Sequence, residues 1–98
     1  MKLWVDDERP APEGWYHALT SDAAIDILWI NHSEAIGEKV TEISLDHDLG
    51  GDDTTRRVVM WMAEHDIWPE IIHVHTANPV GREWLEGMIN RYGPGVTR

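Results

Sequence analysis

The sequence predicts an α/β fold with a mainly parallel sheet. Three observations support this class: short apolar segments alternate with amphipathic helical segments, acidic or polar residues follow the apolar segments, and proline or glycine separates many of the elements. Strands that alternate with amphipathic helices are typical of parallel sheets, because the connecting helix returns the chain to the same end of the sheet. We expect residues 1–98 to form a single domain, since chains of roughly 100 residues usually do.

Two strands and one helix are predicted in the first part of the chain. Residues 2–6 (KLWVD) form an apolar segment typical of a buried strand, and residues 7–14 contain prolines and a glycine that exclude regular structure. Residues 15–19 predict a second, weaker strand. Thr20 or Ser21 is expected to cap a helix. Apolar positions at helical spacing predict its buried face: Ile25, Leu28, Trp29 and His32.

A third strand and a second helix are predicted next. Gly37 is expected to end the first helical region, and residues 42–45 (EISL) predict the third strand. Asp53 or Thr54 is expected to begin the second helix, which Pro69 prevents from continuing. The predicted buried face of this helix comprises Val58, Trp61, Met62 and His65.

The last part of the chain predicts one more strand and one more helix. Residues 70–76 (EIIHVHT) form the fourth apolar segment. Asn78 and Pro79 are typical of a helix cap followed by a proline at the first helical position, and Gly93 lies where a C-terminal cap is expected. The predicted buried face comprises Trp84, Leu85, Met88 and Ile89.

Composition and charge restrict the class of function. The net charge is −10 and the basic residues are scattered, whereas nucleic-acid-binding proteins usually carry a basic stripe, so duplex DNA or long structured RNA is not expected as the main partner. The absence of cysteine excludes a disulfide scaffold and a thiol nucleophile. No apolar segment approaches the roughly 20 residues that cross a bilayer, and we expect a cytoplasmic protein. The six tryptophans are expected to form the bulk of the core.

Acidic and histidine side chains collect at the predicted strand ends. They are Asp6, Asp7, Asp46, His47, Asp48, His73, His75 and Thr76. The carboxyl ends of parallel strands lie at one edge of a sheet, where ligands bind in such folds. Four carboxylates placed there repel one another unless a cation or protons compensate. The sequence therefore predicts a divalent metal site with oxygen and imidazole ligands, the alternative being that individual aspartates are solvated strand-end caps.

The histidines are candidates for proton transfer. His73 and His75 lie two residues apart on a strand and so face the same side, with His75 nearer the strand end and better placed as a ligand or proton carrier. His73 is either a packed, hydrogen-bonded core residue or a second proton donor. Two aspartates flank His47 and favour its protonated form, which suits a general acid. Packing or surface roles are expected for His17, His32 and His65.

Two features favour anion binding beside the acidic residues. The Gly50-Gly51 pair precedes one helix and Asn78-Pro79 opens another, so each offers backbone N–H groups and the positive end of a helix. Arg9 and Arg82 are expected to reach the same edge and bind phosphoryl oxygens, or else to form surface ion pairs.

These motifs resemble receiver domains of two-component signalling, which carry an acidic pair after the first strand, an aspartate after the third and Thr-Ala after the fourth. The resemblance implies Mg²⁺ at Asp6 and Asp7, a phosphoacceptor position at Asp46, a backbone carbonyl ligand at Asp48 and a switch hydroxyl at Thr76. The chain departs from the pattern because the usual first helix, and the fifth strand with its lysine, are missing, and because the histidines have no counterpart.

A closer resemblance covers nearly the whole chain. The segments LWVDDERPAPEGW, EISLDHDLGG and HVHTANPVGR are similar to those of the cyclic-phosphate processing receiver domain family, found in bacteria and phages. This resemblance implies a reduced receiver (flavodoxin-like) three-layer sandwich of about four mainly parallel strands and three helices, and action on cyclic phosphates. The family's motif positions present here are Asp6, Asp7, Arg9, Asp46, His47, Asp48, His73, His75, Asn78 and Arg82.

The leading hypothesis is a metal-dependent phosphodiesterase that opens a cyclic nucleotide, a cyclic oligonucleotide or an RNA 2′,3′-cyclic phosphate end. Mg²⁺, Mn²⁺ or Zn²⁺ would bind at Asp6, Asp7, Asp46 and Asp48. The catalytic candidates are His47, His73, His75 and Asp46, and the ligand-binding candidates are Arg9, Thr76, Asn78 and Arg82. The alternatives are a protein that binds such a ligand without turnover, a single-domain phosphoacceptor regulator, and an acidic interaction protein. The edge of the fourth strand is expected to be covered by the C-terminal tail or by a second subunit in a homodimer.

Overall fold

The part of the chain that the structure describes forms four strands and three helices, which alternate after the first two strands. A computed structural model describes residues 1–32 and 38–97, so the predicted helix end at Gly37 lies outside the described residues. The strands are β1 Lys2–Val5, β2 Trp15–Ala18, β3 Glu42–Leu45 and β4 Ile71–Val74, and the helices are α1 Ser21–His32, α2 Arg56–His65 and α3 Pro79–Tyr92. All strand pairs are parallel, in the order β2-β1-β3-β4. The predicted α/β class is confirmed.

The three helices form one layer. Helix α1 contacts α2, and α2 contacts α3. The connections from β2 through α1 to β3 and from β3 through α2 to β4 run in the same direction along the sheet, so their right-handed crossover places both helices on the same face. Residues 6–14, which join β1 to β2, contain no helix. The fold therefore has two layers, the sheet and one helix layer, whereas the family resemblance implied three.

The core lies between the sheet and this helix layer, and aliphatic side chains fill it. Its members, all at most 2% exposed, include Leu3, Val5, Ile43, Leu45, Ile72, Leu28, Val58, Val59, Met62, Leu85 and Ile89. None of the six tryptophans is among the buried residues, and Trp29 is 59% exposed, so the expectation of a tryptophan core is wrong. The physical reason is that the alternating strand residues that face the helices are Leu, Ile and Val, whereas Trp4 faces the second side of the sheet and meets the Trp15 ring edge to face.

Helix α1 turns a different face to the core than its sequence suggests. Ser21, Ala24 and Leu28 are its buried residues, whereas Trp29 and His32 are exposed. Because α2 lies beside α1, the Trp29 ring packs edge to face on Trp61 at the surface. The predicted N-cap is confirmed, since the Thr20 hydroxyl accepts from the Ala23 N–H.

Helix α2 begins at Arg56, later than predicted. The Asp53 carboxylate does not cap α2 but accepts from the N–H and hydroxyl of Ser21, at the start of α1. The Thr55 hydroxyl donates to the Asp46 carbonyl. These two contacts, which the sequence pattern does not contain, hold residues 46–55 as an irregular segment over the sheet edge.

The ends of the remaining elements position the site. Asp6 and His75 lie just beyond β1 and β4, which are shorter than predicted, although the His75 N–H still donates to the Leu45 carbonyl. The predicted cap of α3 is confirmed, since Asn78 Oδ1 accepts from the Gly81 N–H and Pro79 is the first helical residue. No helix within residues 1–32 and 38–97 is long and apolar enough to cross a membrane.

Candidate phosphate-binding cleft

A cleft of about 290 Å³ opens at the carboxyl ends of β1, β3 and β4. Its lining residues are Asp7, Glu8, Arg9, Asp46, Asp48, Gly50, Thr76, Ala77 and Asn78. The three loops that follow these strands all contribute, because parallel strands bring their carboxyl ends to one edge of the sheet. The predicted meeting of the three strand ends is therefore confirmed.

Three carboxylates converge at this cleft. One oxygen from each of Asp6, Asp7 and Asp46 lies within 4.8 Å of the others. Asp6 is fully buried and the other two are half-buried, so solvent screens their mutual repulsion poorly. Carboxylate oxygens at this spacing suit a hard divalent cation, and an all-oxygen donor set fits Mg²⁺ or Mn²⁺ better than Zn²⁺. Asp48, the fourth predicted ligand, is not part of this cluster.

The Asp6 carboxylate is held by three donors. Its Oδ1 accepts from the N–H groups of Glu8 and Arg9 at 2.8 and 2.9 Å, and its Oδ2 accepts from His75 Nε2 at 2.9 Å. Burial opposes the charged form, but the two backbone donors and then His75 outweigh it and hold the pKa of Asp6 below its usual value. Asp6 therefore stays ionised although it is buried.

His75 links this carboxylate to β3 and β1. Its Nδ1 lies 2.7 Å from Ser44 Oγ, and its ring stacks on Trp4 with centroids 3.9 Å apart. Burial is the main cause that lowers the pKa of His75, so the neutral ring predominates at neutral pH. Since the ionised Asp6 can only accept, the ring hydrogen is on Nε2, and the Ser44 hydroxyl must donate to Nδ1. The Asp6 carboxylate therefore sets the tautomer of His75, and the Ser44 hydroxyl satisfies the other ring nitrogen.

His47 lies beneath α3 rather than in the cleft. It is 5% exposed, its Nδ1 is 3.1 Å from Asp48 Oδ1, and its Nε2 accepts from Arg56 Nε at 2.9 Å. Because an arginine N–H only donates, the ring hydrogen is on Nδ1 and points to Asp48. Both nitrogens are thus occupied, so this geometry does not favour the predicted general-acid role, which stays a prediction.

His73 also points away from the cleft. Its Nε2 lies 2.8 Å from Glu42 Oε2, at the amino end of β3. Glu42 pairs with Lys2 as well, so the three side chains form a small polar cluster at the opposite end of the sheet from Asp6. The hydrogen-bonded alternative for His73 is the one that this geometry favours. The other three histidines take packing or surface positions: His17, His32 and His65.

Asn78 connects the cleft to the start of α3. While its Oδ1 caps the helix, its Nδ2 donates to Asp48 Oδ2 at 3.0 Å. The Asn78 hydrogen bond is the largest cause that holds the pKa of Asp48 below its usual value, with His47 contributing. The Thr76 hydroxyl accepts from the Asn78 N–H, and its own hydrogen has no acceptor among the described residues. Thr76 can therefore donate to an anion in the cleft.

The two predicted arginines differ in position. Arg9 lines the cleft, and its Nη1 donates to the His75 carbonyl at 2.7 Å, which leaves other guanidinium N–H groups for a ligand. Arg82 instead donates to the carbonyls of Val74 and Thr76 and pairs with Glu86, so its guanidinium tethers α3 to the end of β4. Of the two, only Arg9 lies among the lining residues of the cleft.

Gly50, the first residue of the glycine pair, forms part of the wall of the cleft. Gly50 has a φ of +87°, and a Cβ there would lie 3.1 Å from Asp7 Oδ2. A side chain at this position would therefore be strained by the backbone and would also crowd a carboxylate of the cluster. The glycine lets the segment approach Asp7 closely.

Two residues of the site are missing from the sequence-based candidates. Ser44 contacts His75 from the otherwise apolar end of β3. A single hydroxyl between the apolar residues of EISL indicates a polar partner, so the sequence does contain a signal for Ser44. Arg56 reaches His47 and Trp84 from the first turn of α2. No local pattern marks Arg56, because its partners are distant in sequence.

Comparison with known protein families gives one match. The model of the cyclic-phosphate processing receiver domain matches residues 1–91, which include every residue of the cleft. Searches of curated proteins and of solved structures found no match to the chain. With the parallel sheet, the acidic strand ends and the family model in agreement, the chain belongs to the cyclic-phosphate processing receiver domain family.

Proposed function

We propose that this chain binds a divalent cation at Asp6, Asp7 and Asp46 and hydrolyses a cyclic phosphate ester held in the same cleft. The observation that carries the proposal is the approach of three carboxylates to within 4.8 Å beside a cleft that Arg9 and Thr76 also line. The carboxylates alone would repel a phosphate, so a cation is needed before an anion can enter. Membership of a cyclic-phosphate processing family supports the choice of ligand.

The residues of the chain would divide the work of the reaction. A bound cation supplies a Lewis acid and lowers the pKa of a coordinated water. Arg9 and the Thr76 hydroxyl would donate to the non-bridging phosphoryl oxygens and stabilise the charge that develops on them. His75 and Ser44 would keep the buried Asp6 carboxylate oriented. The departing ribose oxygen needs a proton, and we propose that solvent supplies it, since no histidine is among the lining residues in the described part of the chain.

The test is hydrolysis of 2′,3′-cyclic nucleotides and a panel of cyclic dinucleotides, with Mn²⁺ or Mg²⁺ and with EDTA. The variant Asp46→Asn should lose turnover by a factor of about 100 or more, because the cluster loses a charged ligand. Asp52→Asn is the matched control, since Asp52 is an exposed aspartate of the same segment, outside the cleft. Turnover that survives EDTA or Asp46→Asn would show the proposal to be wrong.

A second candidate function is binding without turnover. The specific observation that favours it is that neither His47 nor His73 lines the cleft: both ring nitrogens of His47 are bound to side chains, and His73 Nε2 is bound to Glu42. In that case one ligand would be depleted from solution and recovered intact after denaturation. A stable beryllofluoride adduct at Asp46 with neither turnover nor binding would indicate a phosphoacceptor regulator instead.

A further inference from the structure

A groove beside the cleft offers a second binding surface. We propose that this groove, between the start of α2 and the outer face of α3, binds the base of a second nucleotide joined to the cyclic phosphate in the cleft. The preferred ligand then has more than one nucleotide, either a short single-stranded RNA end or a cyclic oligonucleotide. The inference rests on the proposed function, because that function places the phosphate in the cleft.

The groove is large, open and largely apolar. Its volume is about 560 Å³, and residues of α3 at helical spacing form its floor: Val80, Trp84, Gly87, Met88 and Tyr92. Val80 and Tyr92 are 67% and 52% exposed, respectively. Gly87 has nothing within 4 Å of the position of a Cβ, so the floor is open at its centre.

The charges of the groove suit an anion. Lys2, Arg57 and Arg82 pair with carboxylates, whereas Arg9, Arg56 and Arg91 form no ion pair among residues 1–32 and 38–97. Arg9 lines the cleft and the other two line the groove. In a chain with a net charge of −10, guanidinium groups without an ion pair at the cleft and the groove favour a ligand that brings its own negative charge, although Arg56 is also attracted by the Asp48 carboxylate.

The arginines of the groove lie on aromatic rings. Arg56 Cζ is 5.0 Å from the centre of the Trp84 ring, and Arg91 Cζ is 5.2 Å from that of Tyr92. Aromatic rings with adjacent arginines are a common platform for bases of single-stranded nucleotides, because a base can stack on either group. Glu83, which also lines the groove, would repel a phosphate but can accept from the exocyclic amino group of a base.

The cleft and the groove share a wall. Asp48 lines the cleft and contacts His47 at 3.1 Å, and His47 accepts from Arg56 at 2.9 Å in the groove. These three contacting side chains link the cleft to the groove, so a phosphate in the cleft and a base on Trp84 can belong to one molecule.

The experiment compares adenosine 2′,3′-cyclic monophosphate with the ApA dinucleotide that ends in a 2′,3′-cyclic phosphate, and with a cyclic di-adenosine ligand. The measured quantity is Kd with Mg²⁺, or KM where the ligand is hydrolysed. We expect one of the two-nucleotide ligands to bind at least about fivefold more tightly than the mononucleotide, and which one does so identifies the source of the second nucleotide. Trp84→Leu and Arg91→Gln should remove most of that advantage and leave the mononucleotide unchanged.

Arg57→Gln is the matched control, because it removes the same charge from an exposed arginine that pairs with Asp22 outside the groove. Arg91 is exposed, so Arg91→Gln should fold and still tests the role of the groove if Trp84→Leu unfolds the chain. Equal binding of all ligands, or an equal loss in Arg57→Gln, overturns this inference alone. If no ligand binds the wild type, the proposed function is wrong as well.

Discussion

The buried carboxylate of Asp6 shows how single residues determine the site. Two backbone N–H groups bind one oxygen, and His75 binds the other. Because the ionised Asp6 can only accept, the His75 ring presents an N–H to it, and the Ser44 hydroxyl donates to the opposite ring nitrogen. A hydrogen-bonded link through His75 thereby connects a hydroxyl on β3 to a carboxylate that follows β1, and the Trp4 ring stacks on the imidazole between them.

At this scale the lowered pKa of His75 predicts how stability depends on pH. Burial holds the pKa of His75 below its ordinary value of 6.5, so below that pH the unfolded chain takes up a proton that the folded chain does not. The free energy of unfolding of the metal-free protein should therefore decrease as the pH falls below about 6.5. It should decrease again below about 3.8, because the pKa of Asp6 is also lowered and its protonation favours unfolding.

Urea unfolding with EDTA, at about pH 7.5 and about pH 5.5, measures the first decrease. His75→Gln should be less stable at the higher pH but should show a smaller decrease, because glutamine can donate to Asp6 and does not titrate. His32→Gln, at an exposed histidine, should behave as the wild type. An unchanged decrease in His75→Gln would contradict the assignment.

Whether these residues could be placed from the sequence depends on how far along the chain their partners lie. Asp6, Asp7 and Asp46 could be recognised because they lie within two residues of the end of an apolar strand, and parallel strands bring such positions together. His47 could not be placed correctly by that argument. Its partners Arg56 and Gly81 come from α2 and α3, and only packing decides that the ring turns beneath α3.

At the scale of elements, α3 closes over the site through a contact at Gly81. A Cβ on Gly81 would overlap the His47 ring, whereas a Cβ on Gly87 of the same helix would meet nothing within 4 Å. The absence of a side chain at residue 81 is therefore what allows α3 to lie directly on His47.

Two alanine substitutions in α3 test this packing. Gly81→Ala should lower the free energy of unfolding by about 1–3 kcal/mol, because the added methyl group displaces His47 or the helix. Gly87→Ala is the matched control and should raise it by about 0.5–1 kcal/mol, because alanine is the better helix former. The measurement is chemical unfolding, and a neutral Gly81→Ala would show that α3 does not rest on His47.

At the scale of the whole molecule, the outer edge of β4 affects both the stability of the fold and the association between chains. The Thr97 N–H donates to the Ile72 carbonyl at 2.7 Å, so the C-terminal segment covers part of this edge. The sequence led us to expect that either the C-terminal tail or a second subunit covers this edge, and the tail of the same chain covers part of it. A covered edge offers fewer free backbone groups to another strand.

Removal of residues 95–98 should uncover that edge. We expect a loss of about 1 kcal/mol or more in the free energy of unfolding and self-association at high concentration, because the freed Ile72 carbonyl can accept from another chain. Sedimentation and urea unfolding measure the two effects. Thr97→Ala keeps the backbone N–H and should self-associate no more than the wild type. A truncated chain with the same stability and the same association as the wild type would contradict the role of the segment.

By itself, the sequence determined the α/β class, the order of the elements and the position of three aspartates at one edge of the sheet. These features follow from local periodicity, from caps such as Asn78-Pro79, and from the geometry of parallel strands. Only the tertiary structure decided that the helices form a single layer, that tryptophans lie outside the core, and that His75 rather than His47 contacts Asp6. The physical reason is that these outcomes depend on hydrogen bonds and packing between residues distant in sequence, which no local pattern records.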